Sequence, residues 1–168
     1  IYVGDRTIVY RAVEEIDNRS SSGDAPPTVM IKILRPDYPH FNDLLQFRNQ
    51  YTIAKNLDLP GIVRSYSLNV YGNSYALVME DFGGISLHQY RQDRSLSVGE
   101  TLIIASQIAT TLHALHQHRI IHKDIKPSNI LIHPESKQIK LIDFSIASLL
   151  PKETPQIKHP QNLEGTLA

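Results

Sequence analysis

The chain has 168 residues, 41% hydrophobic and 20% charged, the composition of an ordinary globular domain with apolar material for a core. Its 17 basic residues balance 17 acidic ones, so no net field draws it to nucleic acid or to an anionic membrane. The absence of cysteine excludes disulfides and thiolate metal sites and is compatible with a reducing cytosol, so a cytoplasmic location is expected.

No run of about 18 apolar residues appears, so no membrane span is expected, and the N-terminus lacks the basic-then-apolar pattern of a signal peptide. The chain begins at Ile1 rather than Met and stops at Ala168, just after Gly165-Thr166, which reads as a fragment of something longer.

Residues 7–13 alternate Ile8, Tyr10 and Ala12 against Val9, Arg11 and Val13, the period of a strand, with a turn before it at Tyr2-Val3-Gly4-Asp5-Arg6. Residues 17–27 are rich in Ser, Gly and Pro and read as a surface loop. Residues 28–34 (TVMIKIL) read as a buried strand whose only charge is Lys32. Considered alone, Lys32 is equally well a strand lysine with a solvated head. From Pro39 the period changes: Leu44, Phe47, Tyr51, Ala54 and Leu57 recur at three and four, a helix with one apolar face, closed by Leu59-Pro60-Gly61.

Two more strands are expected at 62–70 and 75–80 around Tyr71-Gly72-Asn73, after which Asp81-Phe82-Gly83-Gly84 makes a flexible joint. Beyond it the chain turns helical, with a short helix from Ser86 and a long one from about Ser97 on which Leu102, Ala105, Ala109, Leu112 and Leu115 share a face. Short strands follow at 130–132 and 139–142, then Asp143-Phe144-Ser145, and beyond Leu150 a Pro-rich extended segment.

Between the long helix and those strands lies Ile120-Ile121-His122-Lys123-Asp124-Ile125-Lys126-Pro127-Ser128-Asn129. Asp124 and Asn129 stand five apart with Lys126 between, and Pro127 forbids a continuous helix, so an acid, a cation and an amide sit on a shaped loop where phosphoryl transfer can use them. This run resembles the H-R-D-L-x-x-x-N catalytic loop of eukaryotic-type Ser/Thr protein kinases, with Lys123 in place of Arg. The resemblance implies an α+β, protein-kinase-like fold: a small β-rich lobe with one helix at 1–80, a hinge at 81–85, and the first part of a helical large lobe at 86–168. The A-P-E motif and later helices of the family do not occur, so apolar faces of the long helix are expected to lie open.

The resemblance also implies roles, with ATP and magnesium as cofactors. Asp124 would accept or orient the proton of the attacking hydroxyl, Lys126 would neutralise charge on the moving phosphoryl group, and Asn129 and Asp143 would hold magnesium through oxygen. Val29-Met30-Ile31-Lys32 resembles V-A-I-K, with Lys32 reaching the phosphates and Met30 replacing the small Ala. The glycine-rich pattern falls on Tyr2, Gly4 and Thr7, so Gly4 alone survives; backbone amides from Gly4 to Thr7 would approach the phosphates, with Arg6 adding charge. The helical Glu that pairs with the strand lysine is Gln50 here, a neutral amide. Met79-Glu80-Asp81-Phe82 resembles the hinge, with main-chain groups of Glu80 and Phe82 on the adenine edge and Val9, Met30, Met79 and Leu131 around the base; plain core explains those apolar residues almost equally well. Ser145 replaces the Gly of D-F-G and reduces backbone freedom there.

His113, His116, His118 and His122 raise a zinc alternative, but no carboxylate or thiol accompanies them; His122 is expected to support the loop backbone. More narrowly, Leu59-Pro60-Gly61-Ile62-Val63, the run 141–148 and Asn162-Leu163-Glu164-Gly165-Thr166-Leu167-Ala168 resemble the N-terminal kinase module of large bacterial, notably cyanobacterial, signalling proteins that continue into ATPase-like, sensor and histidine kinase domains. The expected function is ATP-dependent transfer of a phosphoryl group to a protein hydroxyl, with a protein substrate as partner. The alternative is a pseudokinase, a nucleotide-responsive or scaffolding module; Gln50, Thr7 and Ser145 favour it, and the intact Asp124, Asn129 and Asp143 oppose it.

Overall fold

The structure, a computed structural model, describes residues 2–4, 6–13, 28–92 and 94–151. The loop read at 17–27 and, apart from Pro151, the segment read after Leu150 lie outside the described residues.

The first half is an antiparallel sheet in the order β1-β2-β3-β5-β4, formed by β1 (Tyr2–Val3), β2 (Thr7–Val13), β3 (Thr28–Leu34), β4 (Ser65–Tyr71) and β5 (Ser74–Glu80). Tyr2 and Val3, which the sequence places in a turn from a preceding strand, are themselves that short strand, paired antiparallel with β2. Gly72 and Asn73 form the two-residue hairpin between β4 and β5, and Gly72 has φ +55°, which a hairpin turn of this length demands. Register sets Val9 opposite Lys32 and Lys32 opposite Leu77; two residues along, Arg11, Met30 and Met79 stand abreast. Side chains alternate across a strand, so these two rows share one face of the sheet.

Between β3 and β4 runs helix α1 (Phe41–Ala54), which buries Phe47, Gln50, Ile53 and Ala54. Its inward face differs by one polar member from the apolar stripe expected, because Gln50 is 4% exposed. The strand expected from residue 62 begins only at Ser65. Ile62 instead bridges Leu141, and the 61–63 segment exchanges backbone hydrogen bonds with Leu141, from Leu141 N–H to Gly61 O at 2.8 Å and from Val63 N–H to Leu141 O at 3.2 Å. Pro60-Gly61 bends the chain onto the second half before β4 starts.

That half contains β6 (Ile85–Ser86), α2 (Leu87–Tyr90), α3 (Val98–Gln117), β7 (Ile120–Ile121), a 3-10 turn at Pro127–Asn129, β8 (Ile130–Ile132), β9 (Ile139–Leu141) and β10 (Ser148–Leu149). Strands β6, β8 and β9 form one small sheet and β7 with β10 another. Helix α3 starts at a capping box: Ser97 Oγ accepts from Glu100 N–H, and the Glu100 carboxylate accepts from Ser97 N–H.

The face of α3 is a correction. Ile104, Thr111 and Leu115 are buried, with Ile108 and Leu112 packed beside them, whereas Leu102 is 65% exposed and Ala105 and Ala109 are exposed too. Two rows of equal period run along this helix, 104/108/111/115 and 98/102/105/109, and at 100° per residue they lie about 120° apart, with Leu112 at the border between them. Periodicity alone does not rank them; only the packing partner does.

Two cores result. The larger joins Ile53, Ala54 and Leu57 at the end of α1 and Ile62 to Leu87, Tyr90, Ile104, Leu115, Ile120, Ile130, Ile132, Ile139, Leu141, Phe144 and Ala147. The smaller lies under the five-stranded sheet: Phe47, Val63, Leu77 and Met79, with Met30, Phe82, Leu131 and Ile142 against it. Each fully buried Leu or Ile is worth about 1.5–3 kcal/mol. Helix α1 contributes to both cores, which fixes it against β5 on one side and against the 141–147 segment on the other. Among the described residues no helix is long and apolar enough to cross a membrane.

Candidate active site

The loop between β7 and β8 is shaped from within. His122 is buried, packs its ring at a tilt against Phe144 with 4.7 Å between ring centroids, and places Nε2 3.0 Å from Ile142 O and Nδ1 3.3 Å from Asp124 N. The Asp124 N–H donates to Nδ1, so Nε2 carries the proton and donates to Ile142 O. Burial pushes the pKa of His122 down, in keeping with a neutral ring. Its expected support of the loop backbone is what the structure shows. Pro127 then opens the 3-10 turn that carries Asn129.

Asn129 is buried and its Nδ2 donates to Asp124 Oδ2 at 2.8 Å and to Asp124 O at 3.0 Å, while Lys126 Nζ lies 2.9 Å from the same Oδ2. One carboxylate oxygen of Asp124 is thus bound by a cation and an amide together. Because Asn129 spends its amide protons on Asp124, Oδ1 is the atom it offers to a cation. Ile142 N–H donates to Asn129 O at 3.0 Å, which ties this turn to the strand end that leads into Asp143.

Asp143 has φ +67°, a left-handed conformation that non-glycine residues seldom adopt. Ser145 is not among the residues with positive φ, so a side chain there costs no strain in this conformation. The Asp143 carboxylate accepts from Ser145 N–H at 3.3 Å and lies 3.5 Å from Lys32 Nζ. Burial alone would raise its pKa; the Lys32 ammonium and the Ser145 hydrogen bonds outweigh it and hold the carboxyl below the usual carboxylate range. Lys32 also donates to Gln50 Oε1 at 2.9 Å and lies 5.8 Å from the Phe47 ring centroid. Lys32, Gln50 and Asp143, from β3, α1 and the segment after β9, therefore meet at one ammonium.

The apolar members behave differently from one another. Met30, Met79, Phe82 and Leu131 gather in the smaller core, so residues from β3, β5, the linker and β8 converge. Val9 shares their sheet face opposite Lys32 and stands outside that cluster. Gly4 and Thr7 form the β1–β2 turn, with Gly4 N–H donating to Thr7 O at 2.9 Å and Arg35 donating to Gly4 O at 3.2 Å. Arg6, expected to add charge near phosphates, instead pairs with Asp43 of α1 at 3.3 Å. The Glu80 side chain is held by Lys140 Nζ at 2.5 Å and by Arg64 N–H at 3.1 Å, and Lys140 lies 5.2 Å from the Phe82 ring centroid. A hollow of about 540 Å³ lined by Asp58, Leu59, Pro60, Arg64, Glu80 and Lys140 shares only Glu80 with this set.

Three features escaped the sequence reading. Arg11 on β2 grips Asp81 with Nε at 2.7 Å and a second nitrogen at 3.1 Å, and Asp81 also accepts from Gly83 N–H at 3.1 Å, fixing the linker where Gly83 has φ +71°. Lys140 ties β9 to the end of β5. Asn49, beside Gln50 on α1, reaches the backbone after Asp143. The available signal for Asn49 was its type, since Asn in the middle of a helix is disfavoured and calls for a side-chain partner.

An antiparallel sheet with one helix, joined by a short linker to a helical half whose catalytic-type loop is tied to the segment that leads from β9 into Asp143, defines the protein kinase class of architecture. A family model of the protein kinase domain matches residues 8–168, and the chain belongs to that family. It is similar to the Serine/threonine-protein kinase PrkC of Bacillus subtilis, 39% identical over 141 residues, which are 83% of this chain and 21% of PrkC. Similarity extends to PkaA of Streptomyces coelicolor, 32% over 151 residues, 88% of this chain and 27% of PkaA, and to human Myosin light chain kinase family member 4, 33% over 108 residues, 62% and 28%. The chain thus spans about a quarter of the length of these curated relatives.

Proposed function

We propose that this chain is the ATP-dependent phosphotransfer domain of a protein serine/threonine kinase, moving the γ-phosphoryl group of ATP to a protein hydroxyl. The observation that carries this reading is the convergence of Asp124, Lys126 and Asn129 on one loop with Asp143 and Lys32 beside them. The donor set fits magnesium: hard oxygens from Asn129 Oδ1 and from an Asp143 carboxylate held ionised at neutral pH. When bound, magnesium supplies charge neutralisation on the phosphate oxygens.

In this reading Asp124 orients the substrate hydroxyl and takes its proton as the new O–P bond forms and the bond from the γ-phosphorus to the ADP oxygen breaks. Lys126, already beside Asp124, stabilises the negative charge that develops on the transferring group. Lys32 reaches the nucleotide phosphates while Gln50 Oε1 accepts a hydrogen bond from its ammonium and orients it. Backbone groups of the Gly4–Thr7 turn cover the phosphates, those of Glu80 and Phe82 meet the adenine edge, and Val9, Met30, Met79 and Leu131 enclose the base.

We also place the small lobe at 1–80, the hinge at 81–85 and part of the large lobe at 86–168, and we infer further domains on the same protein, of ATPase-like, sensor and histidine kinase type, with a cytoplasmic location. Reading the coding region past Ala168 tests the domain inference directly.

The second reading is a nucleotide-responsive scaffold, favoured by the neutral Gln50 at Lys32. The deciding experiment measures phosphate transfer by the full-length protein to itself and to a generic protein, with Asp124→Asn alongside. Kinase function predicts a loss of about 10² or more in kcat on that substitution, with ATP affinity unchanged. An unmodified protein as inactive as its variant, yet stabilised by Mg-ATP, establishes the scaffold instead.

A further inference from the structure

Helix α1 is linked to the Asp143 segment at two adjacent residues, directly at Asn49 and through Lys32 at Gln50. Asn49 Nδ2 lies 2.9 Å from Ser145 O, 3.0 Å from Ala147 O and 3.4 Å from Phe144 O. A primary amide has two N–H bonds, so the two short contacts use both and the third is shared. The receiving turn is already closed on itself, with Ala147 N–H donating to Phe144 O at 3.2 Å and Ser145 N–H to the Asp143 carboxylate. Its carbonyls therefore reach Asn49 as a preformed cradle.

One residue further along α1, Gln50 takes the Lys32 ammonium, which in turn faces Asp143. The contacts close a ring: Asn49 to Ser145, Ser145 to Asp143, Asp143 to Lys32, Lys32 to Gln50, and back along the helix. Every link at Lys32 or Asp143 depends on charge, and the Gln50 link lacks the carboxylate that would strengthen it. The Asn49 link depends on no charge. Asp143 is also in a left-handed conformation that its surroundings must enforce. On the N-terminal side His122 grips Ile142 O, and on the C-terminal side Asn49 grips the turn.

We infer that Asn49 is a positioning residue: it seats α1 against the Asp143 turn and so fixes both the Asp143 carboxylate and the Gln50–Lys32 contact, the task a charged partner for Lys32 would otherwise share. This rests on the phosphotransfer reading for its effect on rate, but not for the tether itself.

The test uses the full-length protein with Asn49→Leu, which removes all polar capacity, and Asn49→Asp, which keeps size and turns donors into acceptors facing carbonyl oxygens. Amide hydrogen exchange is followed without nucleotide or metal. Exchange at 143–149 and 47–54 is expected to accelerate about tenfold in both variants, with β2, β3 and β5 unchanged. In transfer assays kcat is expected to fall about tenfold and the magnesium needed for half-maximal rate to rise, while KM for the protein substrate stays within about twofold. Unchanged exchange at 143–149, or acceleration spread evenly over the chain, overturns the inference. Should the unmodified protein transfer no phosphate, the functional reading fails while the exchange data still decide the tether. If one variant fails to fold, the other carries the comparison.

Discussion

Lys32 Nζ stands 2.9 Å from Gln50 Oε1, so the strand lysine and the inward polar residue of α1 meet through a neutral hydrogen bond. A charge-assisted bond is worth about 1.5–3 kcal/mol against about 1 kcal/mol for a neutral one. The geometry of the pair is in place and its electrostatic surplus is absent.

Gln50→Glu supplies that surplus without lengthening the side chain. The expected outcome is a rise of about three- to tenfold in kcat/KM for ATP, measured by initial rates of phosphate transfer. A fall in rate would mean that a second carboxylate beside Asp143 repels it more than Lys32 gains.

Asp143 makes an acid-side prediction. Its folded pKa is depressed below the ordinary 3.8, so the folded state binds its proton less readily than the unfolded one. The stability this contributes is present above about pH 3.8 and is lost as pH falls through the lowered folded value. Lys32→Met removes the cation that opposes burial, leaving only the Ser145 hydrogen bonds against it, so the pKa of Asp143 moves upward. At pH 7 a loss of about 1–3 kcal/mol is expected, and the gap in melting temperature between the two proteins narrows below about pH 4. A gap independent of pH contradicts the prediction.

His122 acts in the same direction at higher pH. Burial lowers its pKa from the ordinary 6.5, so the unfolded chain takes up a proton first as pH falls. Stability is therefore lost from about pH 6.5 downward until the folded pKa is reached. His122→Phe keeps a ring against Phe144 and deletes the bonds to Ile142 O and Asp124 N–H. It is expected to cost about 1–3 kcal/mol at pH 7 and to flatten the slope of stability between about pH 5 and 6.5, read from urea titrations.

Gly61 is a packing prediction. An added Cβ would lie 1.9 Å from Thr111 Oγ1 and 2.8 Å from its Cγ2, where the 61–63 segment crosses α3. Gly61→Ala is expected to destabilise by about 1–3 kcal/mol, and Thr111→Ala in the same chain to recover part of it, a non-additive pair measurable by thermal unfolding. Additive losses would show that the backbone shifts instead.

Much of the fold was legible because strands and caps are local. Alternation in 7–13 and 28–34, the Gly72-Asn73 hairpin, and Ser97 with Glu100 each carry their signal within a few residues. Ile62 did not: it reads as strand, yet Pro60-Gly61 and Leu141 take it elsewhere. The outward row of α3 misled for a physical reason, since Val98 and Leu102 are 78% and 65% exposed on a helix whose apolar residues extend well beyond its buried face.

For the candidate site, the sequence by itself determined the chemistry: an acid, a lysine and an amide at 124, 126 and 129, a proline that forces the turn between them, and Asp143 after a short strand. Gln50 was found by counting along a family resemblance, since nothing in its own residue type announces a partner for Lys32. Only the tertiary structure decided that Lys32, Gln50 and Asp143 share one ammonium, that Arg6 turns to Asp43, and that Asn49 holds a turn 96 residues away at Ser145. Residue type and spacing act through the covalent chain over a few residues. Which side chains meet across such separations depends on the sheet, helix and core that bring them within 3.5 Å, and that is a property of the packed whole.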